Sequence, residues 1–159
     1  MKKPRLFIGS SSESLEIAYE LQRSLDESVE VTVWTQGIFV PSSYTWVDIE
    51  QTLPSFDFAA YILKGEDFLI LRGQQYHAAR DNVILELGYS IGTLGRSRTY
   101  LITPKEPEDL RLPSDLFGLK LLTFSANRSD NNMTAALGPT CQAIRKEIAR
   151  LGPRQPDSA

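Results

Sequence analysis

The chain has 159 residues, 42% hydrophobic and 23% charged, enough apolar content for one domain with a full core. A net charge of −3 and a pI near 5.2 give no basic footprint, which excludes nucleic acid as an expected partner. A single cysteine, Cys141, rules out an internal disulfide, and no apolar run reaches signal-peptide or transmembrane length, so a cytoplasmic protein without membrane contact is expected.

In chain order, Arg5-Leu6-Phe7-Ile8 is a short apolar run ended by Gly9, the pattern of a buried strand. Ser10 to Glu13 then reads as a capping box, with Ser10 as N-cap, opening a helix whose apolar face is Leu15, Ala18, Leu21 and Leu25. Val29, Val31 and Val33 alternate with polar residues as a second strand. A loop containing Gly37 and Pro41 leads to a short amphipathic helix with Trp46, Ile49 and Leu53. Phe56 to Leu63 is a third strand covered on both faces. A helix follows over residues 79–96, with Gly95 as its stop and Arg96 or Arg98 complementing its negative end. Thr99 to Thr103 is the fourth strand, and Lys120 to Phe124 a fifth at a sheet edge, reached through the proline-rich segment from Pro104 to Pro113. Leu137, Cys141, Ile144, Ile148 and Leu151 form the stripe of a last helix, before a polar tail that should fray. This alternation predicts a doubly wound α/β domain with a five-stranded parallel sheet and helices on both faces. Ligands of such sheets collect beyond the carboxyl ends of the strands, here at Gly9-Ser10-Ser11, around Trp34-Thr35 and after Leu63.

The helix over 79–96 carries a puzzle. Val83, Ile84, Leu87, Ile91 and Leu94 make one apolar side, and Glu86 lies at its flank, one turn from both Asn82 and Ser90. Either this carboxylate rims the core and meets solvent, or it sits at the edge of a cleft and has a chemical task. Gly88 and Gly92 should allow that helix to approach another backbone closely. The serines Ser10, Ser11 and Ser12 can offer an anion their hydroxyls, or serve only as a cap. Asp81 suits a helix start, whereas Arg80 stands where a cation is disfavoured. Trp34 and Phe39 can stack on a flat ring or belong to the core. His77 is the only histidine, which excludes a histidine triad and a multi-histidine metal site. Neither a Gly-rich dinucleotide fingerprint nor a phosphate-loop motif is present.

Several segments taken together resemble a known family. They are Phe7-Ile8-Gly9-Ser10-Ser11-Ser12, Val33-Trp34-Thr35-Gln36-Gly37-Ile38-Phe39, Phe56-Asp57-Phe58-Ala59, Ala79-Arg80-Asp81-Asn82-Val83-Ile84-Leu85-Glu86-Leu87-Gly88, Gly92-Thr93-Leu94-Gly95-Arg96 and Leu112-Pro113-Ser114-Asp115-Leu116-Phe117-Gly118. In this order they resemble bacterial TIR (Toll/interleukin-receptor-like) domains of the type found in cyclic-nucleotide-activated anti-phage effectors. The resemblance implies a flavodoxin-like TIR fold over residues 1–152, with 153–159 as a flexible tail, that cleaves NAD+ at the nicotinamide–ribose bond. NAD+ is then the substrate, with no resident cofactor and no metal. The resemblance makes Glu86 the catalytic carboxylate and places Phe7, Ser10, Ser11, Trp34, Arg80 and Asp115 in the pocket; Phe39, Asp81 and Asn82 join them as substrate-contacting candidates. It further implies activation by self-association through TIR–TIR contacts, under a cyclic-nucleotide sensor that this sequence does not contain. One departure is Lys64-Gly65-Glu66-Asp67, where relatives often carry two consecutive aspartates. Two rival readings stand beside it: a non-catalytic TIR assembly module, and an enzyme like the nucleoside deoxyribosyltransferases.

Overall fold

A computed structural model of the chain describes residues 2–43, 45–106, 110–116, 118–119 and 121–154. The elements in order are β1 (Arg5–Gly9), α1 (Leu15–Leu25), β2 (Glu30–Val33), α2 (Thr45–Thr52), β3 (Phe58–Ile62), β4 (Asp67–Leu71), β5 (Gln74–Ala78), α3 (Asp81–Leu94), β6 (Thr99–Pro104), β7 (Leu110–Arg111), β8 (Leu121–Phe124) and α4 (Met133–Leu151). Five strands form one parallel sheet in the order β2-β1-β3-β6-β8. This is the expected α/β architecture, with the fifth strand at an edge as its alternating burial requires.

Side-chain alternation along the strands divides the core in two. Leu6 and Ile8 of β1 point with Phe58, Ala60 and Ile62 of β3 toward α1 and α4. Phe7, Ala59 and Tyr61 point the other way, toward α2 and α3. β3 is buried at all five positions, which explains why its sequence lacks strand alternation and reads as continuous apolar.

Four local expectations change. The capping box is absent: Ser10 donates its hydroxyl to the Ser11 carbonyl, and a 3-10 turn over Ser12–Ser14 precedes α1. Gly88 and Gly92 face open space, because α3 packs through Val83, Leu87, Ser90 and Leu94 on its other side. Arg98 caps a different helix from the expected one, donating to the Leu151 and Gly152 carbonyls at the end of α4 while its guanidinium lies 4.7 Å over the Phe58 ring. The tail is anchored as far as Arg154, whose backbone N–H donates to Asp57 Oδ1 at 2.7 Å. Residues 155–159, Phe117 and Lys120, the predicted first residue of the fifth strand, lie outside the described residues.

An element absent from the sequence reading is a second sheet, β4-β5-β7. Its hairpin turns on Arg72 and Gly73, both with positive φ (51° and 79°), the conformation of a two-residue turn matched to strand twist. Arginine is a poor signal for that turn, and β5 is polar, so neither strand was legible. Gly65 lies at the hairpin base, where a Cβ would meet the His77 Cβ at 2.7 Å.

Gly9 is the most tightly enclosed of the glycines: a Cβ there would lie 2.4 Å from the fully buried ring of Tyr61. Gly9→Ala is expected to lower stability by about 2 kcal/mol or more through forced movement of that ring, read as a reduced urea midpoint. An unchanged midpoint would mean the ring has room to yield.

Candidate functional site

β2 lies on one side of β1, whereas β3, β6 and β8 lie on the other, so the strand order reverses at the β1–β3 boundary. The crevice beyond the carboxyl ends of those two strands receives Ser10 and Ser11 from β1 and residues 63–66 from β3. Ser10 accepts a hydrogen bond from the Trp34 indole N–H at 2.9 Å. Trp34 meets Phe39 edge-to-face at 6.1 Å, so both rings belong to one aromatic wall after β2. Phe39 and Trp34 are half-buried and pack on the α2–α3 core cluster.

The hydroxyls of Ser11 and Ser14 both donate to Glu66 Oε1, at 2.6 and 2.7 Å. Glu66 thus brings negative charge to the turn that opens α1, the turn whose serines could have served an anion or a helix cap. Two serine donors are already committed to it, and its charge repels a phosphate at that spot. Arg80 is tied as well: its Nη2 donates to Glu13 Oε1 at 2.5 Å, and its Nε lies 3.0 Å from Asp67 Oδ1 as a charge contact without hydrogen-bond alignment. This explains a cation at the entrance of α3. Two acidic side chains from other elements hold it there. Its side chain is 40% exposed, and such exposed pairs are individually weak, typically below about 1 kcal/mol.

Arg80 occupies the cap position of α3 without a side-chain cap, and Asp81 begins the helix, accepting the Asn82 N–H at 2.7 Å. Asp81 therefore acts on the positive end of the helix dipole rather than as the cap. Glu86 lies about one and two-thirds turns along, about 9 Å up the axis from Arg80 at ~1.5 Å per residue. It is half-buried, and burial raises its pKa from 4.5 to about 7, with no cation among the described residues offsetting that effect. Ser90, one turn further on, is fully buried and shares a 2.5 Å hydrogen bond with the Tyr61 hydroxyl. Burial pushes the Tyr61 phenol well up, against the smaller opposing effect of the Ser90 bond, and the nearby charge of Glu86 adds to the rise. The Tyr61 phenol stays protonated.

A groove of about 520 Å3 opens between the β4–β5 hairpin and the first turns of α3, lined among others by Leu69, Leu71, Asp81, Ile84, Arg111 and Leu112. Phe7 lies elsewhere, 2% exposed and wedged between Phe56 and Tyr61. Asp115 is exposed on a separate 3-10 turn, Ser114–Leu116. Ser10, Ser11, Trp34, Phe39 and Arg80 thus cluster around the crevice through shared contacts, and Phe7 supports it from the core. Sequence reasoning overlooked the roles of Glu66, Tyr61 and Ser90. A hydroxyl inside an all-apolar strand and a serine flanking Glu86 were the available signals. Among the described residues no group of His, Cys, Asp or Glu is placed to hold a metal ion, and no helix is long and apolar enough to cross a membrane.

Residues 5–126 match the family model described as the CAP12/Pycsar effector protein TIR domain. The chain is 40% identical over 152 residues to the Pycsar effector protein BcPycTIR of Burkholderia cepacia, covering 95% of this chain and 50% of that protein. It is 37% identical over 150 residues to PaPycTIR of Pseudomonas aeruginosa, covering 94% and 48%. It is 34% identical over 146 residues to the CD-NTase-associated protein 12 of Flavobacterium daejeonense, covering 92% and 46%. The chain thus spans about half the length of these relatives. The matched region contains the parallel sheet, the crevice and the helix that carries Glu86, and the chain belongs to the CAP12/Pycsar effector TIR-domain family.

Proposed function

We propose that this chain is the NAD+-cleaving module of an anti-phage effector, releasing nicotinamide with Glu86 as the catalytic carboxylate. The observation that carries this reading is a half-buried glutamate, without a compensating cation among the described residues, on the helix that leads away from the crevice. The relatives' names place them in effector systems, which supports the defence role; an activating partner that senses a cyclic nucleotide, and self-association, belong to the same reading.

Nicotinamide in NAD+ is already cationic, so it leaves as a neutral base and needs no acid. The barrier arises from positive charge developing on the ribose, as in other glycosidic cleavages. One carboxylate beside that ring stabilises the charge, and does so more strongly where water is excluded. Neither a histidine nor a metal is required. Trp34 and Phe39 are suited to cover a flat ring, and Arg80 to take a phosphate by exchanging Glu13 or Asp67 for it. Water attack on the ribose gives ADP-ribose, and attack by the adenine gives a cyclic product; chromatography of the products separates the two.

Glu86→Gln is expected to lower NAD+ turnover roughly a thousandfold or more while leaving the fold intact, measured as nicotinamide release from concentrated protein with and without a crowding agent. Full turnover by a folded Gln variant would remove Glu86 from the chemistry. Base exchange with deoxynucleosides, without nicotinamide release, would point to the deoxyribosyltransferase reading instead. The pH profile provides a second test. Only the ionised carboxylate stabilises the ribose cation, so kcat/KM should rise with pH through about 7. The positive nicotinamide ring favours the carboxylate once bound, so the same limb in kcat should lie lower.

Stability gives a third test. The folded pKa of Glu86 lies above its ordinary 4.5, so the unfolded chain releases the proton first as pH rises. The penalty is absent below about 4.5, grows between there and about 7, and is complete above. Near pH 8 the Gln variant should therefore be more stable than the parent by ~1–3 kcal/mol, after a discount for partial exposure, and near pH 4 no more stable. Equal urea midpoints at both pH values would show that Glu86 is fully hydrated.

A further inference from the structure

The small sheet leaves one edge open. β5 lies between β4 and β7, so the outer edge of β4 pairs with no strand among the described residues. β4 reads Asp67-Phe68-Leu69-Ile70-Leu71, and its four apolar residues are exposed by 64, 37, 70 and 38%. It has no proline, lysine or glycine, the residues with which soluble proteins usually blunt such an edge. Phe68 and Ile70, the most exposed pair, share one face of β4 by strand alternation and Leu69 and Leu71 the other, while Phe68, Leu69 and Leu71 all help to line the groove.

We propose that two copies of this chain associate by antiparallel pairing of β4 with β4, about a two-fold axis through Leu69. A two-fold perpendicular to the sheet keeps equivalent faces together, so it sets Leu69 opposite Leu69 and Phe68 opposite Ile70 of the second copy. The two outward pairs then cover one another as a single apolar patch of four side chains. Charge fits the same register. The acidic end of the strand, at Glu66 and Asp67, comes beside Arg72 at the turn of the other copy, and the reverse holds at the other end. A single short strand per copy falls at the small end of specific interfaces, below about 1,200 Å2. The association is therefore concentration-dependent, forming where copies are gathered. It also touches the crevice, since Glu66 and Asp67 at the base of β4 hold Ser11, Ser14 and Arg80.

The test needs no substrate, so it stands or falls separately from the NAD+ reading. Sedimentation of the 159-residue chain across a concentration series should show a monomer–dimer equilibrium, weakened at least tenfold by Ile70→Lys, whose site is 70% exposed and tolerates the change in the monomer. Leu69→Cys should form a disulfide-linked dimer on mild oxidation, because two-fold pairing sets the facing Cα atoms about 4.5–5.5 Å apart, within disulfide range. Leu121→Cys, equally exposed on the edge strand β8 at 45%, should not, and the native Cys141 is buried. Monomer at millimolar concentration, a dimer indifferent to Ile70→Lys, or cross-linking through residue 121 and not 69 would each overturn the proposal.

Discussion

The contact on which the site depends is the ring of Tyr61 lying across Gly9 while its hydroxyl meets Ser90. The ring fills the space that a side chain on β1 would otherwise take, at the point where the strand order reverses. The hydroxyl fixes α3 at a set height over the sheet, and Ser90 is one helical turn from Glu86. A buried phenol without a partner is costly, so the 2.5 Å bond gives α3 one preferred rotation about its axis. That rotation turns Val83, Leu87 and Leu94 inward and leaves Glu86 at the rim. Without it, the apolar stripe would tolerate a range of orientations.

The same orientation explains why burial raises the Glu86 pKa. A glutamate that merely solubilised a helix would sit opposite the stripe, near Leu85, which is 58% exposed. At the rim it loses hydration without gaining a cation among the described residues. Arg80, the basic side chain at the entrance of α3, is held by Glu13 and Asp67. Natural folds keep such an uncompensated charge mainly where function requires it.

The large sheet and both flanking layers were legible because their signal is apolar periodicity, and buried strands and amphipathic helices announce themselves in that way. Glu86 was legible for the same reason, as an interruption of a regular pattern. Its partners were not. Tyr61 counts as one more apolar letter in β3 until the structure shows its hydroxyl against Ser90. The capping box at Ser10 was a sound local reading, displaced by an interaction between residues 52 and 55 positions apart, Ser14 and Ser11 with Glu66. Local preference at helix starts is worth about 1 kcal/mol, and two charge-assisted hydrogen bonds outweigh it. The hairpin was missed because its turn uses Arg72 in place of the asparagine or aspartate that usually marks a positive-φ pair.

These overlooked residues belong to one arrangement. The segment from Lys64 to Asp67 leads directly into the hairpin, and its two acidic side chains reach back to the start of α1 and the start of α3. The serine turn and Arg80 are therefore already engaged by the chain's own carboxylates. On the proposed function, a phosphate taken by Arg80 displaces Asp67 or Glu13 from it and meets Glu66 at the serine turn. Because Glu66 and Asp67 form the root of β4, anything that shifts that strand bears on how readily Arg80 is released. Negative charge over the crevice and an apolar strand beside it are thus two ends of one short segment. Such a segment ties what happens at the strand edge to how firmly the serine turn and Arg80 are held.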